Sequence, residues 1–261
     1  MSENMELTDG QRRTLEDDVN KEKDRYLRMD LQSKRKIYSC GSKFVELSSI
    51  TSWTLYALAN HISKPSNELY KYNENINNKV SLFIGDITTL EIDCIVNAAN
   101  KKLAGGGGVD GAIHKAAGID SLKRECKLLN GCPTGEAKIT GGYRLPAKYI
   151  IHTVGPIGEK PDLLRSCYTN CCELMKSNNL KSIAFPCIST GVYQYPNKKA
   201  AEVALGAVRE WLDKEVDYVQ SIDRIIFCLF MEADIEAYRK LMPHFFPTKV
   251  ATAVPSSAPA E

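Results

Sequence analysis

The sequence predicts an α/β protein in which a mostly parallel sheet carries helices on both faces. Two observations lead to this prediction. Short runs that are apolar throughout alternate with amphipathic runs across residues 80–247, and 15 of the 17 glycines lie in that stretch. Only Gly10 and Gly41 precede it. We therefore divide the chain into a main domain at 80–247, an N-terminal extension at 1–79 and a tail at 248–261.

The N-terminal extension is predicted to be charged and partly helical. Charges of both signs alternate densely around a few apolar positions across residues 11–36, which is typical of an exposed helix with ion pairs on its faces. Residues 53–62 predict a second, shorter helix, and residues 63–79, rich in Asn, Lys and Ser, predict a linker. We expect the extension to pack on the main domain in places; a solvated arm is the alternative.

The main domain predicts six strands and five helices. Apolar runs place the strands at 80–84, 92–98, 137–140, 149–154, 182–188 and 224–230. Amphipathic runs place the helices at 111–117, 122–129, 162–177, 197–214 and 234–242. The tail at 248–261 is small, polar and proline-containing, and it predicts disorder.

Composition excludes several classes of protein. Hydrophobic residues make up 43% and charged residues 25%, values that are close to the globular average and argue against a wholly disordered or fibrous chain. The formal net charge of +2 gives no overall positive field, so we expect no nucleic-acid partner. No apolar run of about 18 residues is present, so we expect no membrane span.

The N-terminus and the cysteines predict an intracellular protein of the nucleus or cytoplasm. The first ten residues are polar and acidic, unlike a secretion signal or a mitochondrial presequence. The nine cysteines are an odd number and read as reduced thiols. Cys167, Cys171 and Cys172 share a helical stretch, but the chain has four His and no CxxC pair, so we expect no zinc.

The most informative stretch is 97–118, NAANKKLAGGGGVDGAIHKAAG. It begins at the carboxyl end of a predicted strand and leads into a helix, which is where open α/β sheets bind ligands. The four glycines at 105–108 have no Cβ, so their backbone amides can wrap a diphosphate beside the helix N-terminus. The stretch lacks the Gly-Lys-Ser/Thr of a Walker loop and matches GxGxxG only loosely. A flexible hinge is the alternative.

Two further loops have ligand-binding character. Residues 188–196, ISTGVYQYP, also follow a strand and precede a helix, so the two loops would hold one diphosphate from both sides. Tyr193 would stack on a sugar or serve as a packing aromatic. Asp86, after the first strand, would accept a hydrogen bond from an exocyclic amine such as adenine N6, or would cap a turn.

These motifs together resemble the macrodomain family, specifically its MacroD type. The resemblance is carried by GDIT (85–88), NAAN (97–100), GGGGVDGAIHKAAG (105–118), TGEAKITGGYRLPAKYIIHTVGP (134–156) and FPCISTGVYQYP (185–196), and it covers 168 of 261 residues. It implies a three-layer α/β/α fold with a mixed central sheet, and a cleft for ADP-ribose.

The resemblance implies a hydrolase that removes mono-ADP-ribose from acidic side chains of proteins and deacetylates O-acetyl-ADP-ribose. A non-catalytic ADP-ribose reader is the alternative. The implied partners are ADP-ribose and mono-ADP-ribosylated proteins, in processes such as the DNA damage response. No cofactor is implied, and we expect a monomer.

The resemblance also assigns binding roles to individual residues. Asp86 and Ile87 would meet the adenine, and Phe230 would lie near the adenosine end. Asn97 and Asn100 would lie by the distal ribose. The diphosphate would be enclosed by Gly105, Gly106, Gly107, Gly108, Val109, Ser189, Thr190, Gly191, Val192 and Tyr193.

The catalytic residues implied by the resemblance are Asp110, His114 and Asn100. Asp110 comes directly after the glycines and Val109, so its carboxylate would face the sugar and orient a water; a helix N-cap is the alternative. His114, four residues later on the same helical face, would hold Asp110 or the substrate, or be structural. A carboxylate is a weak base at neutral pH unless its pKa is raised. The base is therefore either Asp110 or a substrate phosphate.

The sequence departs from the family pattern in the second loop, after the NAAN motif, and in a shorter segment after Gly155-Pro156. Gln194 stands where the second loop usually has a glycine, and a residue with a Cβ resists positive φ. Lys101 and Lys102 follow the NAAN motif in place of small polar residues. They would attract phosphate or acidic substrates, or they form a solvated pair.

Overall fold

The computed structural model describes residues 8–62, 65 and 69–249. The strands are β1 (Val45–Glu46), β2 (Val80–Ile84), β3 (Leu90–Glu91), β4 (Cys94–Ala98), β5 (Ala137–Gly141), β6 (Tyr149–Thr153), β7 (Ser182–Phe185) and β8 (Arg224–Leu229). The helices are α1 (Asp9–Leu27), α2 (Leu31–Arg35), α3 (Trp53–Ala59), α4 (Glu74–Asn78), α5 (Gly108–Ala117), α6 (Ile119–Leu128), α7 (Pro161–Ser177), α8 (Asn197–Lys214), α9 (Val216–Val219) and α10 (Glu232–Phe245). None of these helices is both long enough and apolar enough to cross a membrane.

The central sheet has six strands in the order β2-β8-β7-β4-β6-β5. All neighbouring strands run parallel except β5 and β6, which pair antiparallel from Ala137↔Thr153 to Gly141↔Tyr149. The chain between β5 and β6 is only seven residues long, too short for the crossover that a parallel pair requires. The predicted mixed sheet is therefore confirmed.

Helices cover both faces of the sheet, which confirms the predicted three-layer fold. Neighbouring residues of β4 show why its apolar run is continuous: Val96 packs on the face covered by α7 and α8, whereas Ile95 packs on the face covered by α5 and α6. Both side chains are fully buried. Burying one such side chain contributes about 1.5–3 kcal/mol, so a strand covered on both faces gains at every position.

The carboxyl ends of β2, β8, β7 and β4 lie side by side at one edge of the sheet. The glycine-rich segment leaves β4 at this edge, and the segment beginning at Cys187 and Ile188 leaves the neighbouring β7. Asp86 follows β2, and Phe230 follows the adjacent β8. The parallel topology therefore brings together four segments that are separated by up to 145 residues of sequence.

The N-terminal extension is partly helical, as predicted, and its first helix packs along α6. A capping box formed by Thr8 and Gln11 begins α1. Arg12 donates a hydrogen bond to the carbonyl of Leu128 at 3.1 Å, and Tyr26 meets a main-domain tyrosine edge to face. Strand β1 also pairs in parallel with β3. The extension is therefore docked on the main domain rather than held as a solvated arm.

The linker predicted at 63–79 was wrong for its last part, which forms α4. Asn73 caps this helix, and Ile76 is buried beside Trp53 in the core, so a single apolar residue in a polar stretch is enough to anchor the turn. Of the tail, Thr248 donates a hydrogen bond to the carbonyl of Ile62. Residues 250–261, where disorder was predicted, lie outside the described residues.

An ion pair between Lys23 and the buried Glu125 gives a direct test of this docking. Lys23 Nζ lies 2.7 Å from Glu125 Oε1, while Oε2 accepts hydrogen bonds from Gly141 N and the hydroxyl of Tyr143. We expect Lys23→Met to lower the free energy of unfolding by about 1.5–3 kcal/mol, because the buried carboxylate loses a charged partner. Chemical denaturation measures the difference.

A matched control is Arg28→Met on the same segment. Arg28 pairs with Asp24, and both side chains are more than half exposed. Exposed ion pairs contribute about 0–1 kcal/mol, so the free energy of unfolding of this variant should be close to that of wild type. Equal destabilisation by the two substitutions would contradict the docking role of Lys23.

Candidate active site

The glycine segment presents bare backbone at the start of a helix. Gly107 is the N-cap of α5 and offers no side chain to the helix amides, and Gly106, Gly107 and Gly108 are exposed. Gly105 and Gly108 have φ of +78° and +59°, in the left-handed region that glycine adopts without strain. The unpaired amides of the first helical turn are therefore open to an anion.

Asn100 shapes this loop from within. Its Oδ1 accepts hydrogen bonds from the amides of Lys102 at 3.1 Å and Ala104 at 3.4 Å. Its Nδ2 donates to the carbonyl of Gly105 at 2.8 Å and to Asp110 Oδ2 at 3.4 Å. One side chain thus fixes the loop and contacts the candidate catalytic carboxylate. Lys102 is itself exposed.

Asp110 lies in the first turn of α5 with only 5% of its surface exposed. The N-cap alternative is wrong, since Gly107 occupies that position. Asp110 Oδ1 accepts a hydrogen bond of 2.8 Å from Asn97 Nδ2. Burial raises the pKa of Asp110, while the hydrogen bond from Asn97 and the nearby His114 act in the opposite direction. A raised pKa makes the carboxylate a stronger base.

Asn97, which the resemblance places by the distal ribose, is a buried residue. Its side chain is fully buried on β4, and its Nδ2 contacts both Asp110 Oδ1 and His152 Nδ1. The reason is the alternation of side chains along a strand: Asn97 shares its face with Ile95, and α5 covers that face. The Asn97 side chain therefore contacts the Asp110 carboxylate and has no exposed surface of its own.

His114 lies behind the glycine segment and is 3% exposed. Its Nε2 is 3.4 Å from Asp110 Oδ1, yet neither ring nitrogen has a hydrogen-bond partner among the described residues. Burial lowers the pKa of His114, so the neutral ring is favoured. A Cβ on Gly105 would come 3.3 Å from the ring, which shows how closely the loop packs over it. The structure thus places His114 beside Asp110 as a neutral neighbour.

The second loop follows β7 and adopts a compact turn. The amide of Tyr195 donates to the carbonyl of Ser189 at 2.9 Å. Ser189 has φ of +68° and is 6% exposed, whereas Val192 is 87% exposed. Thr190 Oγ1 donates to the carbonyl of Cys187 at 3.2 Å. Asp234 Oδ2 on α10 lies 3.4 Å from the same hydroxyl.

Tyr193 and Gly191 complete the second loop. The carbonyl of Tyr193 accepts a hydrogen bond of 2.9 Å from the amide of Gly158, which ties the loop to the segment after β6. The carbonyl of Gly191 accepts one from the amide of Gln194, also at 2.9 Å. Val109, at the start of α5, is partly exposed. Because β4 and β7 are neighbouring strands, the two predicted diphosphate loops lie at adjacent strand ends.

Gln194 adopts the left-handed conformation that its Cβ disfavours, with φ of +52°. We expect Gln194→Gly to raise the free energy of unfolding by about 0.5–1 kcal/mol, since a side chain costs about 1–2 kcal/mol there and glycine's extra chain entropy offsets only part of this. Thermal unfolding measures the gain. Gln194→Ala is the control, because alanine keeps a Cβ; an equal gain from alanine would contradict strain at this residue.

The predicted adenine-binding residues occupy the adjoining strand ends. Asp86 is exposed, and its Oδ1 accepts hydrogen bonds from Thr88 N at 2.9 Å and Thr88 Oγ1 at 2.8 Å, so it caps the turn Ile87–Thr89. The Ile87 side chain is 4% exposed and packs in the core, so it offers almost no surface to a ligand. Phe230 is 75% exposed, as a stacking platform requires.

Two glycines that the sequence did not single out hold the loops in place. A Cβ on Gly111 would lie 2.4 Å from the carbonyl oxygen of Gly106. A Cβ on Gly155 would lie 2.2 Å from Ser189 Oγ. Each glycine allows a close approach to one of the two loops. The only sequence signal was a glycine within a helical run or directly after a strand, which is weak.

Three buried side chains near Asp110 have the donor atoms of a metal site. His114, Cys126 and His152 each bring one nitrogen or sulfur atom within 4.8 Å of the others. Both ring nitrogens of His152, however, lie at hydrogen-bond distance from Asn97 and Thr140. Burial also raises the pKa of Cys126 to about 12, which disfavours the thiolate that metals bind. We therefore assign no metal to this group.

Comparisons with known proteins agree with this geometry. Residues 96–204 match the family model described as Macro domain. ADP-ribose glycohydrolase MACROD2 of Mus musculus is 51% identical over 234 residues, covering 87% of this chain and 48% of that protein. ADP-ribose glycohydrolase MACROD1 of Rattus norvegicus is 50% identical over 218 residues, covering 80% of this chain and 81% of that protein.

A solved macrodomain structure is also similar to this chain in fold. The crystal structure of the Trypanosoma brucei macrodomain in complex with ADP-ribose aligns at a TM-score of 0.71 with 37% identity, covering 92% of each chain. The present chain spans about half the length of mouse MACROD2, at 48%.

Proposed function

The chain belongs to the macro domain family, and from that membership we propose that it is a hydrolase that removes mono-ADP-ribose from acidic side chains of proteins. The observation that carries the proposal is the placement of Asp110. Its buried carboxylate is held by Asn97 and Asn100 directly beside the bare amides of a helix N-terminus. The names of the mouse and rat relatives and the ADP-ribose in the trypanosomal complex support it.

In the proposed reaction the two loops bind the diphosphate with backbone amides. This binding needs no net positive charge, consistent with a chain of formal charge +2. Asp86 and Phe230 would meet the adenosine end, which directs the distal ribose toward Asp110. Binding energy from the nucleotide thus orients the reacting bond.

The chemical step is hydrolysis of the ester between the distal ribose and a protein carboxylate. One water is consumed, the ribose regains a hydroxyl and the protein side chain regains its carboxylate. Asp110 would accept a hydrogen bond from this water and orient it. Because burial raises the pKa of Asp110, the carboxylate is better matched to take the proton than an exposed one. O-acetyl-ADP-ribose carries the same kind of ester and would yield acetate.

A non-catalytic reader is the second candidate function. A reader needs the loop amides and the adenine contacts, but it gains nothing from a buried carboxylate. Burying that carboxylate costs free energy and raises its pKa, and groups with perturbed pKa values cluster at functional sites. The geometry therefore favours the hydrolase.

A demodification assay separates the two. The full chain is incubated with a protein mono-ADP-ribosylated on glutamate, and released ADP-ribose is measured together with loss of the label. We expect release that free ADP-ribose inhibits competitively. Binding of free ADP-ribose by calorimetry without any release would support the reader and overturn the hydrolase.

A further inference from the structure

A line of buried polar side chains runs beneath Asp110 across three strands. Thr140 Oγ1 on β5 lies 2.8 Å from His152 Nε2 on β6. His152 Nδ1 lies 3.0 Å from Asn97 Nδ2 on β4, and the two residues are directly paired in the strand register. Asn97 Nδ2 in turn donates to Asp110 Oδ1 at 2.8 Å. Thr140, His152 and Asn97 are each no more than 1% exposed.

The donors and acceptors in this line are mutually determined. The Thr140 hydroxyl donates to the carbonyl of Gly141 at 3.3 Å, so its oxygen is available to accept from His152 Nε2. Burial lowers the pKa of His152 to about 3, so its ring is neutral and carries one proton. With that proton on Nε2, Nδ1 is an acceptor, and it faces a hydrogen of the Asn97 amide.

This acceptor decides which end of the Asn97 amide meets Asp110. The Asn97 NH2 group lies between His152 Nδ1 and Asp110 Oδ1 and donates to both. As a result, Asn97 Oδ1 is buried and has no hydrogen-bond partner in the part of the chain that the structure describes. A flipped amide would turn its one oxygen toward both the carboxylate and the Nδ1 lone pair, and both contacts would be repulsive.

We infer that His152 and Thr140 are positioning residues for Asp110: Thr140 fixes the tautomer of His152, and His152 holds the Asn97 amide so that it donates to the carboxylate. The inference rests on the proposed function, because it assigns the pair a role in the same reaction. Neither residue reaches the cleft, since both are buried under α5 and α6.

The consequence is a defined pH dependence. The titratable groups that act on Asp110 are His114 on α5 and Cys126 on α6; His152 on β6 is connected to it through Asn97, and Lys123 acts on His114. Asp110 works as a carboxylate, so activity falls as the pH drops through its pKa. The hydrogen bond from Asn97 lowers that pKa. Loss of this bond must therefore move the acid limb of the rate profile to higher pH.

Two substitutions at His152 separate the effect of its hydrogen bond with Asn97 from the effect of its hydrogen bond with Thr140. Asparagine places an amide oxygen near the former Nδ1 and can still accept from Asn97, whereas glutamine reaches toward Thr140 and leaves a methylene near Nδ1. We expect His152→Gln to shift the acid limb of kcat/KM upward by about one to two pH units, and His152→Asn to leave it near wild type. Thr140→Val should shift it in the same direction as glutamine, by less.

The rate profile is measured together with a readout that does not depend on activity. Carbon-13 NMR of the Asp110 carboxyl in the free protein gives its pKa directly, and ADP-ribose binding reports whether each variant is folded. An upward pKa in His152→Gln but not in His152→Asn supports the inference, even if wild type proves to be a reader. Equal pKa values in wild type and in folded His152→Gln and Thr140→Val overturn it. If neither His152 variant folds, Thr140→Val alone decides.

Discussion

Asp110→Ala is expected to lower kcat for release of ADP-ribose from glutamate-modified protein by about 10²–10⁴-fold, the range that a positioned acid or base contributes. Binding of free ADP-ribose should remain close to wild type. The reason is geometric: the Asp110 carboxylate contacts Asn97 and Asn100, whereas the loop amides that would hold the diphosphate are backbone groups. Single-turnover release and calorimetric binding measure the two effects separately.

Two further variants sharpen this experiment. Asp110→Asn keeps the volume of the side chain but removes its charge, so it should lose turnover as severely as alanine if the carboxylate orients or deprotonates the water. Asp120→Ala removes an exposed carboxylate from the first turn of the next helix and should leave turnover unchanged. Undiminished turnover in Asp110→Ala would remove the catalytic assignment.

The same variants bear on which group takes the proton. If Asp110 takes it, the acid limb of the wild-type profile follows the Asp110 pKa, which burial raises. If a substrate phosphate takes it and Asp110 only orients the water, the residual rate of Asp110→Asn should keep its dependence on pH. Comparing the two profiles distinguishes the alternatives that the sequence left open.

The fold was predictable because its signals are local. Apolar runs such as 80–84 and amphipathic runs such as 197–214 coincide with β2 and α8 at both ends. The prediction was less accurate at the C-terminal end of the extension, where the sequence indicates a linker and the structure has α4. Ile76 is the one large apolar residue of this helix, so its sequence carries no helical pattern. A short helix that is stabilised by docking on Trp53 leaves little periodic signal in its own sequence.

The site was predictable where one continuous segment builds it. The glycine segment and Asp110 are neighbours in sequence, so their proximity follows from chain geometry alone. The role of His152 was not predictable, because it depends on the register that pairs it with Asn97 across 55 residues of sequence. Alternation along β4 does place Asn97 on the face of Ile95, but only the packing of α5 on that face brings it to Asp110.

Close contacts between two backbone segments are the feature of the candidate site that is hardest to predict from sequence. Gly111 lies inside α5, where a glycine usually weakens a helix by about 0.5–1 kcal/mol relative to alanine. Propensity alone would therefore recommend Gly111→Ala as a stabilising change. The structure argues the opposite, because the new Cβ would lie 2.4 Å from the carbonyl oxygen of Gly106, a backbone atom that cannot rotate away.

Gly111→Ala is accordingly expected to destabilise the protein, since overpacking costs about 1–3 kcal/mol and exceeds the helix gain. Its larger effect should be on ligand affinity. Relief of the clash moves Gly106, where a Cβ position lies 3.1 Å from Asp110 Oδ2, so the amides beside the carboxylate shift together. We expect ADP-ribose affinity to fall by at least about tenfold, equivalent to about 1.4 kcal/mol.

Gly107→Ala is the matched control within the same loop. Apart from its chain neighbours, no atom of the described residues lies within 4 Å of its Cβ position, and its φ of −94° suits any residue. Its melting temperature should equal wild type, and any loss of affinity in this variant would report contact between the ligand and the bare backbone. Melting and calorimetric titration of the two variants therefore separate displacement of the loop from obstruction of the ligand. A Gly111→Ala protein that is more stable than wild type and binds ADP-ribose equally well would show that the loop tolerates the shift.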